Sequence, residues 1–237
     1  MSEEDPIGDT IVELLQRSTL ALSQPGGVGA GTAFLYNHLV ESTSDSDLVI
    51  EFLITAGPLA RGEVGEIRLR PDMISPAGAA SDLLLMTKFA DQWNHDGASG
   101  TAFMTFAGLH EHGRRKGWSW VTQEVTDGLA ARAQDVAEIA AGPEPAYVLG
   151  HGVDGTERPL TLVRGGVRRD REGTMRWFGP GVEDLTGSPV FVPRLVSGRG
   201  VRIVCLGLLQ TGGPDSPIGT FDLIRRAIEA TIPPLPA

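Results

Sequence analysis

A glycine-containing turn followed by two apolar runs constrains the fold of this chain more than any other feature. Residues 184–191 read Asp-Leu-Thr-Gly-Ser-Pro-Val-Phe, and a second apolar run follows at 201–209. A tight turn that enters one apolar run and returns through another is typical of a β-hairpin. We therefore expect two strands here, beneath a loop that they support.

Glycine and proline occur throughout the chain and are not concentrated in a linker. The 237 residues include 31 Gly and 16 Pro, and 41% of the residues are hydrophobic while 21% are charged. Many turns between short apolar runs favour an all-β or β-rich protein over a helix bundle. A chain of this length buries a sizeable core, as one compact domain or as two small β subdomains.

Charge and cysteine content exclude several classes of protein. The net charge of −10 argues against binding to nucleic acid, because phosphate recognition needs clustered Lys and Arg. The single cysteine, Cys205, permits no internal disulfide, which favours a cytoplasmic location. No apolar segment approaches the roughly 18 residues of a membrane span, and the acidic beginning of the chain lacks a signal-peptide pattern.

Local patterns predict helices at both ends and in the middle of the chain. A capping box from Thr10 to Glu13 predicts a short amphipathic helix within residues 9–24. Helical spacing also occurs at 126–141 and 220–231. Strand-like runs occupy much of the remainder, including 29–36, 48–55, 65–70, 147–152 and 161–167.

Three segments resemble trypsin-like serine proteases of the chymotrypsin fold, especially their bacterial members. Residues 184–191 resemble the loop that carries the nucleophile, which commonly reads Gly-x-Ser-Gly-Ser-Pro-Val-Phe. Residues 29–36 resemble the opening strand of the first barrel, and 53–57 resemble the strand that leads to the catalytic His. The resemblance covers about residues 29–231. It implies an all-β fold of two six-stranded antiparallel β-barrels.

The same resemblance implies a division of the chain into four parts. Residues 1–26 are expected to form an N-terminal helical extension, and residues 27–120 the first β-barrel. A connecting helix is expected within 121–142. Residues 143–237 are expected to form the second β-barrel with a C-terminal helix.

The resemblance places the catalytic positions on residues that lack the required chemistry. Thr186 takes the position of the nucleophilic serine, Pro58 that of the histidine base, and Gly100 that of the aspartate that orients the histidine. Catalysis needs a hydroxyl activated by an imidazole that an acid holds in place. Loss of the nucleophile or base costs on the order of 10⁶-fold in kcat. Asp184 also stands where the family has Gly, and its carboxylate opposes a nearby oxyanion.

We therefore predict a catalytically inactive protein, a pseudoprotease, that binds a peptide or protein partner through the former substrate cleft. The partner peptide is expected to add to an exposed strand edge between the barrels. The predicted loop along this cleft consists of Asp184, Leu185, Thr186, Gly187 and Ser188.

Two alternatives remain open at this stage. An active serine or threonine hydrolase with a rearranged site would use Thr186 or Ser188 as the nucleophile and His95 or His151 as the base. A β-sandwich interaction module of different ancestry would have two stacked sheets and no catalytic past.

No metal or cofactor is predicted. His110 and His112 would share one face if they lay on a strand, but a third ligand is not evident. Metal sites in proteins use three or four ligands. A solvated loop is the simpler interpretation of this segment.

Overall fold

A computed structural model of the chain describes residues 5–27, 29–196 and 200–233 and consists mainly of two curled β-sheets with short helices. Residues 1–4 of the predicted extension lie outside the described residues, as do Val28 of the predicted first barrel and residues 197–199 and 234–237 of the predicted second.

Strands of the first half of the chain build one large sheet and one small one. The ten strands are β1 (Thr19–Ser23), β2 (Gly31–Ser42), β3 (Asp47–Ala56), β4 (Val64–Arg68), β5 (Ile74–Ser75), β6 (Leu83–Thr87), β7 (Asn94–Asp96), β8 (Thr101–Thr105), β9 (Ser119–Trp120) and β10 (Val125–Thr126). The large sheet has the order β6-β4-β1-β2-β3-β8-β7, and β10 pairs with β2. β5 and β9 pair only with each other among the described strands.

The hairpin of β2 and β3 forms the middle of this sheet. Tyr36 pairs with Phe52, and Ala33 pairs with Thr55. The apolar halves of both strands are buried, while the turn between them is polar and exposed. Burial therefore fixes the register, since a shift of one residue would turn the apolar side chains outward.

Strands of the second half form a six-stranded sheet. They are β11 (Glu144–His151), β12 (Leu160–Arg169), β13 (Met175–Phe178), β14 (Pro189–Val196), β15 (Gly200–Leu209) and β16 (Ile218–Thr220). Their order is β13-β12-β11-β14-β15-β16. The hairpin predicted from the two apolar runs is confirmed as β14 and β15, with Pro189 opposite Leu208.

Four α-helices are short and lie around the sheets. They are α1 (Pro6–Leu15), α2 (Ala107–Arg115), α3 (Ala133–Ala137) and α4 (Phe221–Glu229). Helix α4 confirms the predicted closing helix. Its Phe221 packs edge-to-face on Tyr36, with ring centroids 4.7 Å apart, so the last helix is anchored on the first sheet. In the described part of the chain, no helix has the length and apolar character to cross a membrane.

The amino-terminal segment differs from its prediction. Helix α1 begins at Pro6 because the Asp5 carboxylate accepts a hydrogen bond of 3.1 Å from the Gly8 amide, so Asp5 is the cap and not Asp9 or Thr10. After the helix, β1 joins the first sheet, with Leu20 opposite Ala33. Residues 19–23 of the predicted helical extension are therefore part of the first sheet.

Four further expectations need correction. The connecting helix predicted within 121–142 shortens to α3, because the preceding residues of β10 pair in parallel with β2. The first sheet has eight strands where six were expected, and the parallel pairing of β10 with β2 means that it is not wholly antiparallel. The segment with His110 and His112 is helical, in α2. The β-sandwich alternative is wrong, because each half of the chain forms its own curled sheet.

Candidate functional site

The loop of residues 184–188 is held by both sheets. The Thr186 carbonyl accepts a hydrogen bond of 2.8 Å from the Thr32 amide, and the Gly187 amide donates one of 2.8 Å to the Leu209 carbonyl. Leu185 anchors the loop as a buried side chain. The turn predicted from sequence is thus rigid and lies between the beginning of β2 and the end of β15.

Gly187 is required at this turn for two reasons. Its φ of 82° lies in the left-handed region that favours glycine. A side chain would also overlap the Thr32 carbonyl oxygen and approach the Thr55 hydroxyl to 2.6 Å. The conformation and the close contact together explain why glycine occupies this position.

The Thr186 hydroxyl makes no hydrogen bond to an imidazole within the described residues. The side chain is half-buried, and the loop contacts above engage only the Thr186 carbonyl and the amide of the next residue. Asp184 is exposed beside it. An unactivated hydroxyl of this kind remains protonated and is a weak nucleophile.

On the first sheet, Pro58 and Gly100 border an open cavity of about 280 Å³. The Gly57 amide donates a hydrogen bond of 2.9 Å to the Gly100 carbonyl, which fixes the two segments together. His95, Asp96 and Gly97 also line the cavity.

This cavity brings together only some of the residues that sequence reasoning singled out. Pro58, Gly100 and His95 line it, whereas Thr186, Ser188 and His151 do not. The segment that follows β15 contributes Gln210 and Thr211, which sequence reasoning missed.

Gln210 fills the space beside Gly100. Gly100 has a φ of 66°, and a side chain there would come within 2.7 Å of the Gln210 amide nitrogen. That nitrogen donates a hydrogen bond of 2.6 Å to the Ser99 carbonyl. A side chain at position 100 would therefore have to displace a hydrogen-bonded amide and adopt a strained backbone. The local structure, as well as the residue type, is unsuited to an aspartate.

The carboxylate that is present, Asp96, stabilises its own loop. It accepts hydrogen bonds from the Ser99 amide at 2.7 Å and the Ser99 hydroxyl at 2.5 Å. Burial raises the pKa of Asp96, but these hydrogen bonds outweigh that effect and hold it below its ordinary value. Ser99 in turn lies 2.7 Å from the Thr101 hydroxyl. Asp96 is ionised and makes no hydrogen bond to a histidine within the described residues.

His95 is the exposed imidazole of this cavity. Partial burial, with the nearby Arg61 guanidinium as the second cause, lowers its pKa. It is neutral near pH 7, but within the described residues it forms no hydrogen bond that would orient it. A base without an orienting acid, at a cavity that Thr186 does not line, does not assemble a triad.

His151 is buried and both of its ring nitrogens are engaged. Nδ1 lies 3.1 Å from the Arg158 carbonyl, and Nε2 lies 3.2 Å from both the hydroxyl and the carbonyl of Thr19. A carbonyl only accepts, so the single proton of the neutral ring donates to one of these two carbonyls. Burial lowers the pKa of His151 to about 4. It is a neutral structural histidine that joins β1 to β11.

Ser188 is closed off from solvent. Its side chain is fully buried, and its hydroxyl has no hydrogen-bond partner. The hydroxyl lies against Gly150, where any side chain would overlap it. A substrate carbonyl has no route to this oxygen. Gly212 likewise contacts the Glu183 backbone, so the loop and the segment after β15 leave no gap between them at that point.

The two imidazoles of α2 do not form a metal centre. His110 Nε2 lies 2.5 Å from Glu51 Oε2, and the His112 ring packs on Trp118 at 6.3 Å between centroids. No group of three or more metal-ligating side chains occurs within the described residues.

Comparison with known proteins adds information on the fold alone. No protein-family model matches the sequence, and no curated protein matches it. Among solved structures, catalytically inactive tobacco etch virus protease in complex with substrate matches with a TM-score of 0.50 and 8% identity, over 90% of this chain and 83% of that one. The chain has the chymotrypsin fold.

Two other solved structures match less closely in shape. A thermostable serine protease, AL20, from an extremophilic microorganism has a TM-score of 0.43 and 13% identity, over 90% of this chain and 96% of that one. Human heparin binding protein has a TM-score of 0.48 and 11% identity, over 93% of this chain and 95% of that one.

Proposed function

We propose that this chymotrypsin-fold protein is catalytically inactive and binds an extended peptide segment of a partner protein in the cleft beside Pro58 and Gly100. The observation that carries the proposal is the cavity between these residues and Gln210. Proline offers no basic nitrogen, and the Gln210 amide fills the place where an acid at position 100 would lie.

The groups needed for acyl transfer are dispersed in this protein. A nucleophile and its base must lie within about 3.2 Å of each other. Thr186 has no imidazole partner within the described residues, and the Ser188 hydroxyl is buried against Gly150. The hydroxyls and imidazoles of the cleft therefore support structure or recognition in place of proton transfer.

The cavity has features that suit a peptide. It is open and combines polar side chains, Arg61 and His95, with exposed Pro58 and Thr211. Gly97 on its wall has open space above it. An extended peptide would lie across the cavity and contact Gln210 and Thr211, which follow β15.

Labelling with a fluorophosphonate reagent tests the absence of catalysis. We expect no labelling of the wild type above that of a Thr186→Ala variant, under conditions in which an active serine protease is labelled fully. Labelling that disappears in Thr186→Ala would establish an active hydrolase and reject the proposal.

An array of overlapping peptides tests recognition by the cleft. Gly97→Trp places an indole over the cavity without a clash, since nothing lies within 4 Å of its added carbon. We expect binding to weaken about tenfold, as a filled site loses its central contacts. The matched control is Gly142→Trp between α3 and β11, where the added carbon also has open space. Equal binding by wild type and Gly97→Trp would exclude the cleft as the site.

A further inference from the structure

A second groove lies at the seam of the first sheet, away from the Pro58 cavity. The sheet runs from β6 at one end to β7 and β8 at the other, and its curl brings these ends near each other. The space between them is about 280 Å³ and is lined by β6, by Met104 of β8 and by Gly108 and Leu109 of α2. We refer to it as the seam groove.

The backbone of β6 offers unpaired hydrogen-bonding groups to this groove. The Leu69 amide donates to the Asp82 carbonyl at 2.8 Å, which makes 69 and 82 a hydrogen-bonded pair. Along an antiparallel ladder such pairs alternate. Leu84 and Met86 therefore bond to β4, opposite Ile67 and Gly65.

The intervening residues of β6 direct their backbone groups away from β4. Two of the outward carbonyls are occupied, since Leu83 accepts from the Ser81 hydroxyl at 3.0 Å and Thr87 accepts from the Gln92 amide at 3.3 Å. Leu85 lies between them and has no such side-chain partner within the described residues. Its amide and carbonyl are thus available to one strand of another chain.

The floor of the groove is apolar, and the polar residues Thr87, Gln92, His112 and Arg115 complete its lining. Leu84, Met86, Met104 and Leu109 form its floor, and the Leu85 side chain is 58% exposed at its rim. An open strand edge with exposed leucine is a template for strand pairing, and proteins ordinarily cover or charge such edges.

The charged residue that lines the groove, Arg115, is positive, although the protein as a whole carries −10. The His112 imidazole also lines the groove, and no carboxylate of the described residues does. Arg114, Arg115 and Lys116 are exposed, and no ion pair of the described residues includes them. Basic residues suit the carboxyl end of α2, and their exposed side chains remain able to meet carboxylates of a partner.

We propose that the seam groove binds an extended segment of a partner protein that alternates apolar and acidic residues and adds to β6 as a strand. Its apolar side chains would pack on the floor between β6 and α2. Its carboxylates would pair with His112 and Arg115. This site is separate from the Pro58 cavity, and it stands whether or not that cavity binds peptide.

A fluorescein-labelled octapeptide of alternating glutamate and valine is the probe, with fluorescence anisotropy on the full chain as the measurement. We expect saturable binding that weakens about tenfold in Arg115→Glu, because attraction to a carboxylate becomes repulsion. Gly108→Trp, which fills the groove, is expected to weaken it to a similar extent, whereas the cleft variant Gly97→Trp should bind normally.

Two changes to the probe separate strand addition from general attraction. N-methylation of alternate peptide amides removes the strand hydrogen bonds and should abolish measurable binding, as should replacement of glutamate by lysine. Hydrogen exchange should show protection of the Leu85 amide by the unmodified peptide.

Several results would overturn the proposal. They are absence of binding at millimolar peptide, equal binding to Arg115→Glu, and loss of binding in Gly97→Trp with retention in Gly108→Trp, which would assign the peptide to the cleft. Protection of the Leu85 amide that rises with protein concentration without peptide would identify a second copy of this chain as the occupant.

Discussion

The loop of residues 184–188 is packed against both sheets, whereas Pro58, Gly97 and Gly100 border an open cavity that this loop does not line. Gly187 lies against Thr32 and Thr55, but Gly97 has no atom within 4 Å of an added carbon. The two regions therefore differ in packing density. The Ser188 hydroxyl is buried in the loop, whereas the His95 imidazole is exposed at the cavity.

Alanine at Gly187 and at Gly97 should give the largest difference in the free energy of unfolding between the two regions. Gly187→Ala introduces both a strained φ and an overlap with the Thr32 carbonyl, and we expect a loss of about 3 kcal/mol or more in the free energy of unfolding. Gly97→Ala should change it by less than about 0.5 kcal/mol. Denaturant unfolding of both variants measures the change in the free energy of unfolding. Equal losses would show that the two regions are packed alike.

The buried His151 and the exposed His95 should respond differently to acid. Burial lowers the pKa of His151 to about 4, against about 6.5 in an unfolded chain. The unfolded state therefore binds a proton first as the pH falls. The stability contributed by neutral His151 is complete above about pH 6.5 and is lost between there and about pH 4, to a total on the order of 3 kcal/mol.

Thermal unfolding of His151→Gln and His95→Gln from pH 7 to pH 4.5 checks this expectation. His151→Gln should lose much of the pH dependence of the wild-type melting temperature. His95→Gln should retain it because His95 is exposed. If the melting temperature of His151→Gln depended on pH as that of the wild type does, the assignment of His151 as a buried neutral group would be contradicted.

Of these substitutions, Ser188→Ala is expected to change the free energy of unfolding least. The Ser188 hydroxyl is buried without a partner, and removal of an unsatisfied hydroxyl is neutral or stabilises by up to about 1 kcal/mol. Chemical denaturation measures the change. A loss above about 1 kcal/mol would reveal a hydrogen bond that this hydroxyl makes in solution.

Much of the fold was accessible from the sequence. The hairpin of β14 and β15 was predicted from a turn and two apolar runs, because a tight turn and an apolar run are each set by a few neighbouring residues. The helix boundaries were less accurate, since Leu20 and Leu22 could satisfy either a helix or a strand until pairing with β2 decided between them. The segment 107–115 was missed as a helix because its apolar stripe is short.

The candidate site depended more heavily on contacts between distant segments. The sequence by itself determined that position 58 has no basic nitrogen and position 186 a hydroxyl, and it pointed to a two-barrel fold. Only the tertiary structure decided that the Gln210 amide occupies the space beside Gly100, 111 residues away from the Ser99 carbonyl that it binds, and that Ser188 is buried against Gly150. Such contacts arise when two sheets pack, and local spacing carries no record of which side chain will fill the space between them.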